Sequence, residues 1–361
     1  LVYGIRETLL GSDKLTWEKS YKTNIGLEMM LWGKLNLTLD YYWERRKDIL
    51  IQRSSLPSMA GFDASIYANM GEMDNKGVDA NLEYQTRIGN KVGLRLFGNL
   101  TYSKNKIVFR DEPAMQYAYQ KSEGTRYGEF YGYIAEGYFQ SEEEIKKSPR
   151  QMRELAPGDI KYKDLNDDGV IDANDQCYLG KSWFPSWSYG MGFNINYHNF
   201  DLALFFQGVS DVSIMANGGS IDTGNGDWGA SGVGIVPFTG MGLNPSNVIT
   251  KALDRWTADN PRADAWYPRM TANATTNDNN YVNSTHWLKD GSYLRLKQAS
   301  LGYTLENKKL MDKGIEYLYF YLSGQNLLTF SKFKLWDPEL GSNGAKYPLS
   351  RMVTLGMRVS F

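Results

Sequence analysis

The chain has 361 residues, a net charge of −1 and an aromatic content of 14%, with 25 Tyr. A charge so near zero gives no electrostatic footprint for nucleic acid. Mean hydropathy is −0.48; no run of about 18 apolar residues occurs, which excludes a transmembrane helix but not a membrane β-barrel, whose strands alternate and escape hydropathy scans. Cys177 is the single cysteine, so an intrachain disulfide is impossible and a zinc cluster is not credible. The opening Leu1-Val2-Tyr3 has no Met, basic segment or apolar leader and reads as the inside of a longer protein.

Residues 1–16 read as loop. Two strands follow, Trp17–Leu31 and Leu35–Ile51, around a turn at Trp32-Gly33-Lys34. This turn pairs Leu31 with Leu35, Met29 with Leu37, Leu27 with Leu39 and Ile25 with Tyr41, leaving Asn36, Thr38 and Asp40 on the opposite face. A loop with Pro57 covers about 53–72. The third strand begins near Lys76 and the fourth ends near Val108, joined by Gly89-Asn90-Lys91. Ile88 then meets Val92, Tyr84 meets Leu96 and Val78 meets Tyr102. The reverse face pairs Gln85 with Arg95, Asn81 with Asn99 and Asp79 with Thr101. So polar a face suits the wall of a wet or plugged lumen better than a packed core.

Residues 109–186 form a long connection. Within it Ser141-Glu142-Glu143-Glu144 has the spacing of a capping box and predicts a short helix. The fifth and sixth strands lie in Trp187–Val212. Tyr189, Met191, Phe193, Ile195 and Tyr197 alternate with small or polar residues, and Phe200, Leu202, Leu204 and Phe206 resume the pattern after a His198-Asn199 turn. The expected register sets Tyr197 against Phe200, Ile195 against Leu202, Phe193 against Leu204 and Met191 against Phe206. A second long connection covers 213–285. The seventh strand, Trp287–Leu305, shifts its apolar phase between Leu296 and Leu301, which predicts a bulge. The eighth is Ile315–Phe330. The ninth carries Val353, Leu355, Met357, Val359 and Phe361 on one face.

Connections after the first, third and fifth strands are short turns, that after the seventh is modest, and the alternate ones are long. Short turns at one end and long loops at the other are the pattern of an outer-membrane barrel. A soluble β-sandwich is the competing fold, but its strands average about five or six residues and these are far longer. The expected fold is therefore all-β, an antiparallel transmembrane β-barrel, here a partial barrel of nine long strands with long extracellular loops. An odd count leaves edges that lipid does not tolerate, so further strands are expected elsewhere.

Several segments resemble the SusC/RagA-type TonB-linked outer-membrane transporters of Bacteroidota. They are Trp17-Glu18-Lys19, Asp40-Tyr41-Tyr42, Asp74-Asn75-Lys76-Gly77-Val78, and Pro157 to Asp164. Further along come Arg255-Trp256-Thr257 with Asn260-Pro261, Tyr267-Pro268-Arg269, Gly291 to Lys297, and Leu301-Gly302-Tyr303-Thr304. The last are Ser323-Gly324-Gln325-Asn326-Leu327, Asp337-Pro338-Glu339 and Phe361. Each is weak alone; in order along nearly the whole chain they are specific. The resemblance implies that residues 1–361 are the C-terminal part of a 22-stranded barrel whose N-terminal plug and TonB-contacting segment lie outside this sequence. It implies TonB-powered import of oligosaccharides or peptides, a SusD-like surface lipoprotein as a lid, and outer-membrane lipid around the wall. It also implies that Phe361 ends the strand read by the barrel-assembly machinery.

The sharpest local motif, within 156–178, is Asp164-Leu-Asn166-Asp-Asp168-Gly169-Val170-Ile-Asp172-Ala-Asn-Asp175. It follows the plan of an EF-hand calcium loop, with oxygen donors at Asp164, Asn166 and Asp168, the Val170 carbonyl, then Asp172 and Asp175. Ca2+ is the expected ion, with a stiffening role. The alternative is an ion-free acidic turn in which Asp and Asn bond their own backbone. Tryptophans 183, 228, 256, 266 and 336 are candidates for stacking on sugars or for loop packing. Glu83, Gln85, Arg87 and Arg95 face the expected lumen, toward substrate, plug or water. His198 and His286 have no recognisable nucleophile partner, and no phosphate-binding Gly loop appears, so no enzyme is expected. A passive porin is the alternative function.

Overall fold

The computed structural model describes residues 9–10, 15–55, 65–89, 91–151, 154–217, 250–270, 279–342, 344 and 347–361. Nine long strands form one sheet: β1 Lys19–Leu31, β2 Leu35–Gln52, β3 Ser65–Ile88, β4 Val92–Phe109, β5 Trp187–Tyr197, β6 Phe200–Ser210, β7 Tyr293–Leu305, β8 Tyr317–Ser331 and β9 Met352–Ser360. Each is antiparallel to its chain neighbour, in the order β1 through β9. The short segment Leu9–Leu10 joins in parallel at Ser65–Ile66. The sheet is open: among the described residues β1 and β9 do not pair with each other.

The hairpin registers follow the alternation of the sequence. Tyr197 opposes Phe200 and Met191 opposes Phe206. Leu31 opposes Leu35 and Ile25 opposes Tyr41; Ile88 opposes Val92 and Val78 opposes Tyr102. A period of two leaves only this register if the apolar sets are to share a face. The tight turns use left-handed residues, Trp32 (φ 53), Gly33 (φ 61) and His198 (φ 53), as short hairpin turns require. The phase change in β7 is a bulge: the register with β8 shifts between Leu296 and Gln298, and that with β6 between Phe205 and Phe206.

Two boundaries differ from expectation. β3 starts at Ser65 instead of Lys76, because β2 and β3 continue together past an irregularity. Asp48 takes a left-handed φ of 57, and the register slips twice between Arg46 and Leu50. The side chain of Asn69 bridges the gap by donating to the carbonyls of Asp48 and Thr16. These slips break the period of two, so 65–75 carried no readable alternation. The expected seventh strand is two pieces: Leu288–Asp290 pairs with Ser213–Met215, and β7 proper begins at Tyr293. The predicted helix is present as α1, Glu142–Lys147. Ser141 caps it by accepting from the Glu144 amide, while Glu144 reaches back to the Gln140 amide.

One face of the sheet is a continuous apolar surface from Ile25 and Leu27 to Leu355 and Met357, with its large side chains exposed. The other carries Thr38, Asp79, Asn81, Glu83, Arg95, Asn99, Asn194 and Gln207. Burial is concentrated elsewhere. The described parts of the β4–β5 and β6–β7 connections fold together beyond the long-loop ends of the strands. There Phe130, Tyr133, Tyr138, Ile160, Tyr162, Ile171, Met215, Ala252, Trp256, Ala265, Tyr267 and Trp287 pack into one core. We call this unit the cap.

Candidate functional site: the cap and the inner wall

The cap is built around Asp159. Its side chain is fully buried, and its oxygens meet Arg269 Nε at 2.7 Å and Nη2 at 2.9 Å, Asn280 Nδ2 at 2.8 Å and the Ala156 amide at 2.9 Å. A buried carboxylate persists only when paired and hydrogen-bonded. Gly158 precedes it with φ +92, and a Cβ there would run into the Trp256 ring. Thus the family-like segments at 157–164, 255–257 and 267–269, far apart in sequence, meet at one point.

Polar side chains stitch the strands of the cap. Asn279 Nδ2 donates to the Ile160 carbonyl at 3.0 Å. Gln151 donates to that carbonyl and to Asn279 Oδ1, and accepts from the Tyr162 amide. Trp287 is fully buried; its Nε1 donates to the Asn280 carbonyl at 2.7 Å. Its ring meets those of Trp266, Tyr267, Tyr281 and His286. Burial, with the Lys289 charge nearby, pushes the His286 imidazole down to about 3. It is therefore neutral at ordinary pH, 3.4 Å from Tyr138 Oη, and serves packing. Lys289, lowered by its own burial, donates to the His286 carbonyl at 2.6 Å and lies over the Trp266 ring. His198 is at the opposite end, in the β5–β6 turn.

A second clamp ties the cap end to the wall. Arg295, on β7, is 1% exposed. It meets Asp337 at 2.6 Å and Glu339 at 3.0 Å, so two further family-like segments converge. Pro338–Leu340 is a short 3-10 turn capped by Asp337.

On the inner wall Glu83 pairs with Arg95 at 2.7 Å, and the Arg95 guanidinium lies over Phe97, 4.9 Å from the ring centroid. Phe97 stacks on Phe205 of β6 at 6.1 Å. These groups line an open groove of ≈ 340 Å³ together with Asn36, Thr38, Asn81 and Asn99. Gln85 and Arg87 lie nearer the tight turns, with Asn194, Asn196 and His198. Phe97 and Phe205 were not singled out from sequence. The available signal was their place in the polar phase of β4 and β6, hidden for Phe205 inside the run Leu204-Phe205-Phe206.

The candidate tryptophans separate. Trp183 is 53% exposed and meets Phe184. Trp256 is buried under Gly158, Trp266 packs in the core, and Trp336 donates to the Gly341 carbonyl at 2.8 Å and packs on Phe333. Trp228 lies outside the described residues.

The acidic loop closes on its own amides. Asp164 accepts from Asp167 and Gly169, Asn166 from Asp168, Asp168 from Val170, and Asp172 from Asn174. Asp175, fully buried, accepts from Leu165 at 2.7 Å and Asp172 at 2.9 Å. Among the described residues no three His, Cys, Asp or Glu side chains are grouped to hold a metal ion.

The chain matches the family model described as TonB dependent receptor-like, beta-barrel over residues 3–327. It is 28% identical to TonB-dependent receptor P3 of Formosa agariphila, over 100% of this chain and 36% of that protein. It is 23% identical to TonB-dependent receptor SusC of Bacteroides thetaiotaomicron, over 97% of this chain and 32% of that protein. Among solved structures it resembles the RagAB peptide importer in the 'open-open' state, with TM-score 0.71 and 23% identity over 98% of this chain and 36% of that one. The 'closed-closed' state gives TM-score 0.69 and 24% identity. The chain spans about a third of the length of these relatives. Matched along most of its length by the family model, and similar to SusC and RagAB over nearly all of it, the chain belongs to the TonB dependent receptor-like β-barrel family, is of SusC/RagA type, and resides in the outer membrane.

Proposed function

We propose that residues 1–361 are the C-terminal part of the barrel of an active importer, which moves oligosaccharides across the outer membrane with power drawn from TonB. Peptides are the alternative cargo, favoured by the likeness to an importer described as carrying peptides. A sheet with two open edges does not survive in lipid, so the rest of a 22-stranded barrel and its plug complete the wall. A SusD-like surface lipoprotein docks over the cap. The observation that carries this reading is a lipid-ready apolar outer face, a polar, aromatic-dotted inner face, and a packed cap in the long connections. The test is uptake of labelled oligosaccharides and peptides by cells carrying or lacking the intact gene, with and without TonB. Uptake that needs both supports the importer and identifies its cargo; uptake indifferent to TonB assigns a passive porin.

The spacing of Asp164, Asn166, Asp168, Val170, Asp172 and Asp175 supports a second proposal, a calcium ion that stiffens the cap. The amide network of the same carboxylates supports an ion-free turn. Calcium titration separates them: slower exchange of the 164–175 amides with micromolar calcium, reversed by chelator, indicates an ion site, and unchanged exchange indicates the turn.

A further inference from the structure

The outward face of β1–β4 changes character at one level. Toward the tight turns it is apolar. A row of register partners then runs Ile25, Tyr41, Val78, Tyr102 and Trp187 across five strands, and the Tyr102 and Trp187 rings meet at 4.4 Å. From Val92 to Tyr102 the strand advances ten residues; at ~3.3 Å each and a tilt of ~40° the climb is about 25 Å, the height of a barrel's apolar band. Tyr102 and Trp187 therefore mark the interface on the long-loop side.

The next row outward on the same face is Thr23, Trp43, Lys76 and Lys104, and the one after it is Tyr21, Arg45, Asp74 and Lys106. The acids here are already engaged. Arg45 holds Asp74 through two bonds of 2.6 and 2.7 Å. Lys47 meets Glu72 at 3.7 Å and Lys19 meets Asp48 at 2.8 Å. Lys76, Lys104 and Lys106 remain, all exposed and without an ion pair within 4 Å among the described residues, though Lys106 faces Asp74 across the strands and interacts with its charge; Lys76 and Lys104 face each other. Lys76 and Lys104 are direct cross-strand partners, an arrangement that repels. Such repulsion is relieved when an anion sits between the two charges, and the level is where lipid phosphates lie.

We propose that Lys76, Lys104 and Lys106, beside Trp43 and above the aromatic ledge of Tyr41, Tyr102 and Trp187, form an outer-wall site for the phosphate of an outer-leaflet lipid headgroup. The aromatic rings take the upper acyl and sugar portion and the ammonium groups take the phosphate. The site is on the outside of the wall, so it is separate from cargo in the lumen, and it seats the barrel at a defined depth.

The test uses the intact full-length protein released from its own outer membrane in mild detergent. Native mass spectrometry counts retained lipid, and the heat-dependent gel shift confirms that each barrel is assembled. Wild type is expected to keep phosphorylated lipid. At roughly a fivefold effect per lysine near a charged surface, K76Q/K104Q is expected to bind it about thirtyfold more weakly. Equal retention by an assembled K76Q/K104Q barrel overturns the proposal. Should that variant not assemble, wild type is reloaded with native or phosphatase-treated lipid. Preference for native lipid supports the site, and equal rebinding of both overturns it. Displacement of the lipid by millimolar inorganic phosphate also overturns it, by assigning the lysines to free phosphate.

Discussion

In the wall, large apolar side chains such as Ile25, Leu355 and Met357 face outward and stay exposed, while polar groups face the lumen. In the cap, Trp287, Tyr267 and Phe139 are fully buried, and polar side chains such as Asn279 and Gln151 are buried with them and bonded. The wall is organised by backbone pairing and by lipid as its second solvent. The cap is organised as a water-soluble domain is, by burial of apolar surface, with hydrogen bonds to buried polar side chains such as Asn279, Gln151 and Asp159. One chain therefore holds two stability regimes, and changes confined to one should leave the other standing.

Trp287→Ala is the strongest way to break that separation. Loss of a fully buried aromatic side chain costs about 3–5 kcal/mol. Hydrogen exchange should rise across 133–138, 160–162 and 213–217 while the amides of β1–β9 keep their protection. Simultaneous loss of protection in the wall would show that the cap and barrel unfold as one unit. Asp159→Ala comes next, at about 3 kcal/mol, the low end for a broken buried pair, because Arg269 retains some contact with water. Proteolytic nicking confined to the cap is the readout.

The wall answers to a different pair of substitutions. Leu96→Arg places a charge in the middle of the outward apolar face and should cost about 2–4 kcal/mol of barrel stability. Thr38→Arg, on the inner face, should change it by about 0.5 kcal/mol or less, as surface replacements do. Denaturant titration in lipid vesicles compares them, and equal effects would reverse the assignment of faces.

A pH slope in the cap tests the same separation without touching the wall. His286 is held neutral down to about 3, whereas an unfolded histidine takes its proton near 6.5. The unfolded state thus binds the extra proton first. Cap stability should be full above about pH 6.5 and fall by up to ~1.4 kcal/mol per pH unit below it, until the folded imidazole also titrates. His286→Gln should flatten the slope. Cap exchange measured at pH 7 and pH 5 checks this.

Much of the wall was legible because a strand with lipid on one side and water on the other must alternate. Tyr189 to Phe206 could pair in one register only, and the phase change around Lys297 disclosed its bulge. The extension of β3 back to Ser65 was not legible, since the slips at Asp48 destroy the period. Within the cap only the helix capped by Ser141 and the acidic spacing at 164–175 were legible locally; the packing was not. The cap segments carry no period, and the partners of Asp159 lie at Arg269 and Asn280, more than a hundred residues away. The acidic spacing at 164–175 was plain in sequence, and its carboxylates accept from neighbouring amides.

Local pattern by itself therefore determined the existence of nine long strands, the register of the three tight-turn hairpins, the apolar outer face and the direction of the long loops, because all of these depend on neighbours one or two residues away or across a tight turn. Only the tertiary structure decided that the described parts of the two longest connections form one packed cap, that Arg295 clamps Asp337 and Glu339, and that Phe97 and Phe205 meet on the inner wall. These contacts join residues distant in sequence, and their pairing follows from the side-by-side order of the strands and from the burial of groups that no local alternation marks.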